Sequence, residues 1–166
     1  AILHLDKVLI RDSRYPVYQT QKQILIEGLP LTASEKEIRI RKGKPSCIQK
    51  EQIGPFAVTV IGYHERIDGA PVRILFFLHQ GKLCFAEYRF SPEGPFPSAA
   101  FLHLEEHMSG ATRGMSSSDG EKSGAASEKV LPDPESSFYF EDPTGNQILY
   151  HYNGISLTVK YIDRNC

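Results

Sequence analysis

FAVTVIGYHERIDGAPVRILFFLHQGKLCFAEYRF, residues 56–90, is the stretch that decides how this chain folds. It holds three apolar runs, Phe56–His64, Val72–His79 and Leu83–Phe90, each of strand length. Asp68-Gly69 and Gln80-Gly81 separate them, and both are short glycine-bearing connections of the kind that close hairpins. In the first run Phe56, Val58 and Val60 alternate with Ala57, Thr59 and Ile61, the period of two that sends successive side chains to opposite sides of a sheet. The second run is apolar on both sides except at Arg73, as a central strand covered twice would be. The three together predict an antiparallel meander.

Working outward, the N-terminal side offers an apolar, extended Ile2–Ile10, a turn at Asp12-Ser13, and short strands over Tyr15–Tyr18 and Gln23–Glu27 before Gly28 breaks the pattern. A helix then starts at Thr32 or Ser34. Thr32 with Glu35 and Ser34 with Glu37 both have capping-box spacing, and Gly43 and Pro45 suit the helix end. Ile38-Arg39-Ile40-Arg41 also alternates like a strand, so the local pattern supports either element. On the C-terminal side Pro95 and Pro97 break the chain, and Ser98 can cap a second short helix to about Met108 with Phe101, Leu104 and Met108 on one side. Residues 109–135 read as a flexible loop, because the small and polar residues of 109–129 bring too little apolar surface to offset their ordering entropy. Ser137–Glu141, Gln147–Tyr152 and Ile155–Ile162 then read as three strands. They are joined by a type I turn at Asp142-Pro143-Thr144-Gly145 and a two-residue hairpin at Asn153-Gly154.

The expected fold class is therefore α+β: antiparallel sheet with short helices packed on one face. The 166 residues are about one domain's worth, and within that domain the order helix, three-strand meander occurs over residues 31–92 and again over 97–163 as tandem units. No apolar run reaches the ~18–20 residues that span a bilayer, so no transmembrane segment is expected and the chain reads as soluble. The net charge of −1 argues against a protein built mainly to neutralise phosphates. The charge is uneven, with 14 Lys/Arg against 10 Asp/Glu in residues 1–95 and 5 against 10 in residues 96–166. Arg39, Arg41 and Lys44 form the densest basic patch and would carry a nucleic-acid reading. Without interleaved aromatic platforms they read instead as a solvated helix face, and no nucleic-acid partner is expected.

Leu31, the capping Thr/Ser, the helix ending in Gly43-Lys44-Pro45, the strand with Gly62-Tyr63, Gly81-Lys82-Leu83 and the strand ending in Glu87-Tyr88 resemble a known unit. This is the small-lipoprotein repeat of the outer-membrane assembly factor BamE, used twice over in the β-lactamase inhibitor protein. The resemblance covers residues 31–90 best and 97–162 by order of elements. It implies short helices on an antiparallel sheet, an extracytoplasmic place, no cofactor, and action through protein–protein contacts. This chain lacks the lipobox cysteine at its start, and no binding residue transfers by position. The start at Ala1 rather than Met fits removal of a signal peptide or anchor, or trimming.

Candidate chemistry is sparse. His103-Leu104-Glu105-Glu106-His107 matches the inverted zinc-protease pattern, in which two histidines one turn apart hold the metal and the glutamate is general base. With 59 residues remaining and no firm third ligand, His103, Glu106 and His107 serve only an alternative reading as a zinc-dependent hydrolase. No nucleophile elbow, phosphate loop or dinucleotide fingerprint is present, so the preferred reading has no catalytic residue and no cofactor. His64, His79 and His151 sit near strand ends and read as surface histidines. Three cysteines allow one internal disulfide, and Cys47–Cys84 is the expected pair, with Cys166 at the terminus. Tyr63, Phe77, Tyr88, Tyr139, Tyr150 and Tyr152 either set aromatic rings side by side on the sheet as anchors for a partner or fill the core against the helices. The function these readings support is a non-catalytic protein-binding domain of the cell envelope or secreted space. Inhibitor, immunity-type protein and envelope accessory factor all fit, and periplasmic or secreted location is preferred over cytoplasmic.

Overall fold

A computed structural model describes residues 12–67, 69–92, 104, 112–113 and 132–164. Eleven strands and one helix lie among them: β1 (Val17–Gln19), β2 (Leu25–Ile26), β3 (Leu29–Pro30), α1 (Glu35–Lys42), β4 (Cys47–Ile53), β5 (Phe56–Ile67), β6 (Ala70–His79), β7 (Lys82–Phe90), β8 (Thr112–Arg113), β9 (Phe138–Glu141), β10 (Gln147–Tyr152) and β11 (Leu157–Ile162). Nine strands form one sheet in the order β4-β5-β6-β7-β11-β10-β9-β1-β8, and β2 and β3 make a separate hairpin. All pairings in the large sheet are antiparallel except β1 with β9.

This overturns the expected α+β class. Of the described residues 54% are strand, and a single helix accounts for 7%. Two physical causes explain the difference. Cys47–Ile53 is polar enough to read as a linker, but as an edge strand it needs only one paired side and leaves most of its side chains in water. The last strand of the chain also pairs with β7, so the two meanders merge into one sheet instead of standing as separate helix-covered units. The second helix expected from Ser98 falls on residues outside those described, apart from the buried Leu104. Within the expected loop of 109–135, Thr112 and Arg113 pair with β1.

The local signals mostly act as expected. Ser34 caps α1 in a full capping box with Glu37, and Gly43, at φ 85, closes the helix through its N–H to the Arg39 carbonyl. Gln80 and Gly81 both take positive φ, as a type I′ hairpin turn requires, and leave His79 opposite Lys82. The Asp142 carboxylate is buried at the β9–β10 turn. It accepts from the Thr144 N–H at 2.9 Å, the Asn146 N–H at 3.0 Å and the Ile24 N–H at 2.8 Å, which fastens the start of the β2–β3 hairpin to the sheet. Asn153-Gly154 begins a four-residue connection rather than a two-residue one. The Asn153 side chain accepts from the Ile155 and Ser156 N–H groups, and the strands resume at Tyr152 opposite Leu157.

The sheet is covered unequally. One face carries the main core, in which Ile61, Phe76, Tyr88, Phe138, Tyr150 and Tyr161 meet Ile38 of α1 and Ile26 and Leu29 of the β2–β3 hairpin. The other face carries a smaller cluster around Val60, Leu75, Phe77, Phe85 and Ile162. Cys47 has a free thiol and Cys84 is disulfide-bonded, so the expected Cys47–Cys84 pair is not made. The register explains why. Cys47 lies opposite Gly62 on the edge strand, and β5 and β6 stand between it and the strand of Cys84. Cys166 lies outside the described residues.

Candidate functional site

The residues that could present an aromatic surface are core instead. Tyr63, Tyr88 and Tyr150 pack in the main cluster, Phe77 in the smaller one, Tyr139 is buried, and Tyr152 is half-buried against the main core. Their polar ends are engaged within the fold. The Tyr63 hydroxyl donates to the Gly43 carbonyl at 2.9 Å, that of Tyr88 to Glu27 at 2.9 Å, and that of Tyr150 to the Pro134 carbonyl at 2.6 Å. Tyr139 accepts from the Asp12 N–H at 2.9 Å, and Tyr152 donates to the Gly154 carbonyl at 3.2 Å. Burial pushes the Tyr63, Tyr88, Tyr139 and Tyr150 hydroxyls up from the ordinary tyrosine range. A meander covered on both faces has no ring to spare for a partner.

Within the basic helix segment Arg39 and Lys42 are paired with carboxylates, and Arg41 and Lys44 are exposed. Arg39 lies 3.6 Å from Glu35, and Lys42, with a side chain 9% exposed, is held between Glu27 and Glu65. His103, Glu106 and His107 lie outside the described residues, and among the described residues no three His, Cys, Asp or Glu side chains come together as metal ligands.

What the fold does assemble is a row of polar, mostly basic side chains. His64 on β5 is opposite Arg73 on β6, Arg73 is opposite Arg89 on β7, and Arg89 is opposite Thr158 on β11. Directly opposed residues share a sheet face, so this is one line across four strands, with about 4.8 Å between neighbours. Arg66, two residues along β5 from His64, is on the same face and donates to the Gly69 carbonyl at 3.0 Å.

These side chains line a cleft of about 750 Å³ at the ends of the strands; Val72, Phe90 and Leu157, which also border it, point to the other sheet face and are buried in the main core. The one carboxylate set among the arginines is that of buried Glu87, which accepts from Arg89 Nε at 2.9 Å. Glu65, also at the cleft, is on the other sheet face and bound to Lys42. The Arg73 guanidinium and the His64 ring have no hydrogen-bond partner among the described residues, and both side chains are exposed.

Two guanidiniums directly opposed across antiparallel strands repel, and of the two it is Arg89 that has an offsetting carboxylate, Glu87, among the described residues. The arrangement suits an incoming anion, because arginine offers paired donors that fit a carboxylate.

The row continues one strand further. His151 on β10 is opposite Thr158, and its Nδ1 lies 3.2 Å from Ser137 Oγ and 3.4 Å from the Tyr15 hydroxyl. Ser137 is not a free nucleophile, because its oxygen also accepts from the Tyr152 N–H at 3.1 Å and lies 3.3 Å from the Tyr152 carbonyl. Burial first, then the charge of Lys160, lowers the His151 pKa, with Asp12 acting in the opposite direction.

Sequence reasoning singled out Arg73 only as an exception in an apolar strand, and missed Arg89 and Thr158. The signal available was the hairpin register, which opposes His64 to Arg73 once Asp68-Gly69 is taken as a two-residue turn. No protein-family model matches this chain, and comparison with curated proteins and with solved structures finds no match either.

Proposed function

We propose that this chain is a non-catalytic binding domain of the cell envelope or secreted space, of inhibitor, immunity or envelope-accessory type, and that it takes an acidic segment of a protein partner in the cleft at Arg73 and Arg89. The observation that carries this reading is the direct opposition of Arg73 and Arg89, of which only Arg89 is paired with a carboxylate, that of Glu87, among the described residues. Arg89 already has Glu87, and the unpaired charge of Arg73 is compensated when a carboxylate arrives from outside. The disulfide at Cys84 supports an oxidising compartment.

The test is titration of the purified chain with a labelled peptide that alternates Glu and Phe, at several salt concentrations. Saturable binding that weakens as salt rises, and is lost in Arg73→Glu, is the expected result. Absence of binding, or binding indifferent to both salt and Arg73→Glu, overturns the reading. One equivalent of tightly held zinc, lost in His103→Ala, would move the function to a metal-dependent hydrolase.

A further inference from the structure

We infer that the ligand of this face is an extended segment with acidic residues at alternate positions, lying across the strands along the line His64, Arg73, Arg89, Thr158, His151. The inference rests on the reading of the cleft as an acidic-segment site and adds the ligand's spacing and direction.

The direction follows from what surrounds the row. Along β6 the next side chain on this face is Leu75, buried in the smaller core cluster, and along β7 it is Glu87, already bound to Arg89. The next row across the same face reads Gly62, Leu75, Glu87, Lys160 and Leu149, which is apolar or internally balanced. On the row's other side Arg66, which donates to the Gly69 carbonyl, is opposite Pro71, so a polar ligand finds its continuous partners along the line from β5 to β10.

The length follows from strand spacing. Five strands separate into four steps of about 4.8 Å, so the line from His64 to His151 spans roughly 19 Å. An extended peptide repeats same-side residues about every 6.7 Å, so four alternate residues cover the same distance. Long, flexible arginine side chains absorb the mismatch at the cationic end. The far end is shaped differently. Thr158 brings a hydroxyl, and His151, Ser137 and Tyr15 gather there within 3.4 Å contacts, which suits hydrogen bonding to a fourth carboxylate or to the ligand's main chain.

The experiment uses two capped peptides on the full chain, read by fluorescence anisotropy. One has Glu at positions 1, 3, 5 and 7, and the other is a three-residue Glu-Phe-Glu. Wild type is expected to bind the long peptide at least about tenfold more tightly than the short one. Arg73→Glu is expected to weaken both by about tenfold or more. Thr158→Val and His151→Gln are expected to weaken the long peptide alone, by about three- to tenfold, and bring it close to the short one. Circular dichroism shows whether each variant folds, and Thr158→Val, a same-size change in a strand, stands in if His151→Gln does not. Equal affinity for the two peptides, or a long-peptide affinity untouched by the folded far-end variants, overturns this inference and leaves the cleft reading standing. Failure of both peptides to bind wild type overturns that reading as well.

Discussion

Arg73 and Arg89 face each other across β6 and β7 because of one extra residue, and not because of the turn that joins their strands. The Gln80-Gly81 hairpin sets His79 opposite Lys82 and Leu78 opposite Leu83, a register that would continue to place Arg73 opposite Tyr88. At Cys84 the ladder slips, and Phe77 meets Phe85 instead. Every later residue of β7 thereby changes face. Ala86 and Tyr88 turn into the main core, and Glu87 and Arg89 turn to the side of Arg73. A bulge that re-aims side chains beside a cleft is a common way to build a site on a regular sheet. Here the bulged residue is also disulfide-bonded, and its carbonyl accepts from the Asp163 N–H at 3.1 Å.

The first prediction separates binding from stability at this pair. Arg73→Glu replaces an opposed like-charge pair with an opposed ion pair on an exposed face, where such a pair contributes roughly 0.2–1 kcal/mol. The variant should melt at or slightly above the wild-type temperature while its affinity for acidic peptide falls. Thermal denaturation beside a peptide titration checks both. A variant that melts well below wild type would show that Arg73 serves the fold.

Much of the fold is written locally and most of the site is not. Ser34 with Glu37, Gln80-Gly81 and Asp142–Gly145 each specify their cap or turn through their own side chains and φ preferences, so a reader of the sequence finds them. Gln49-Lys50-Glu51-Gln52 does not look like a strand, because an edge strand with wet sides shows no apolar alternation. The row depends on a slip at Cys84 that Leu83-Cys84-Phe85 does not announce, and on pairing Arg89 with Thr158 across 69 positions of chain. The aromatic residues are ambiguous in the opposite direction. Tyr in a strand reads equally as an anchor or as core, and only the register shows that Tyr63, Tyr88 and Tyr150 share the main-core face.

The second prediction concerns Gly62, which is glycine for lack of space. A Cβ built there would lie 2.6 Å from Cys47 Sγ and 3.2 Å from Leu75 Cδ2. Gly62→Ala should destabilise the chain by about 1–3 kcal/mol, the usual cost of overpacking. Cys47→Ala frees the closer contact, so the double variant should recover a good part of the loss. Denaturant melts of the two single variants and the double variant form the cycle that decides it. Additive losses would place the strain elsewhere.

The third prediction concerns how α1 is held to the sheet. Lys42 reaches from the last turn of the helix to Glu27 in the β2–β3 turn and Glu65 on β5, and its ammonium lies 5.9 Å from the Tyr63 ring centre. Glu27 in turn accepts from Tyr88, and it sits at φ 53, an unusual conformation for a residue with a side chain. Lys42→Met keeps the length and removes the charge, which leaves two partly buried carboxylates facing each other. The loss should be roughly 1–3 kcal/mol, below the figure for a fully buried pair because both glutamates keep some contact with water. Glu65→Gln in the Lys42→Met background should restore part of it. No recovery would show that Lys42 acts through packing alone.

The fourth prediction turns on His151, where stability and binding should respond to acid in opposite senses. The fold lowers its pKa mainly by burial and secondly through Lys160, while Asp12 favours the proton; Tyr15, Ser137 and Thr158 complete its surroundings without charge. A histidine that holds its proton less tightly when folded than when unfolded contributes stability above the unfolded value of about 6.5, and that contribution is lost as pH falls toward the lower folded value. Wild type should therefore lose more melting temperature between pH 7.5 and pH 5 than His151→Gln does. Once protonated, however, the same ring adds a positive charge to the end of the row, and peptide carboxylates stay ionised over most of that range. Affinity for the long alternating peptide should accordingly rise on acidification more steeply in wild type than in His151→Gln, which keeps only His64 in the row. A wild type whose affinity falls with its melting temperature would show that acid acts by loosening the fold, and would remove His151 from the binding face.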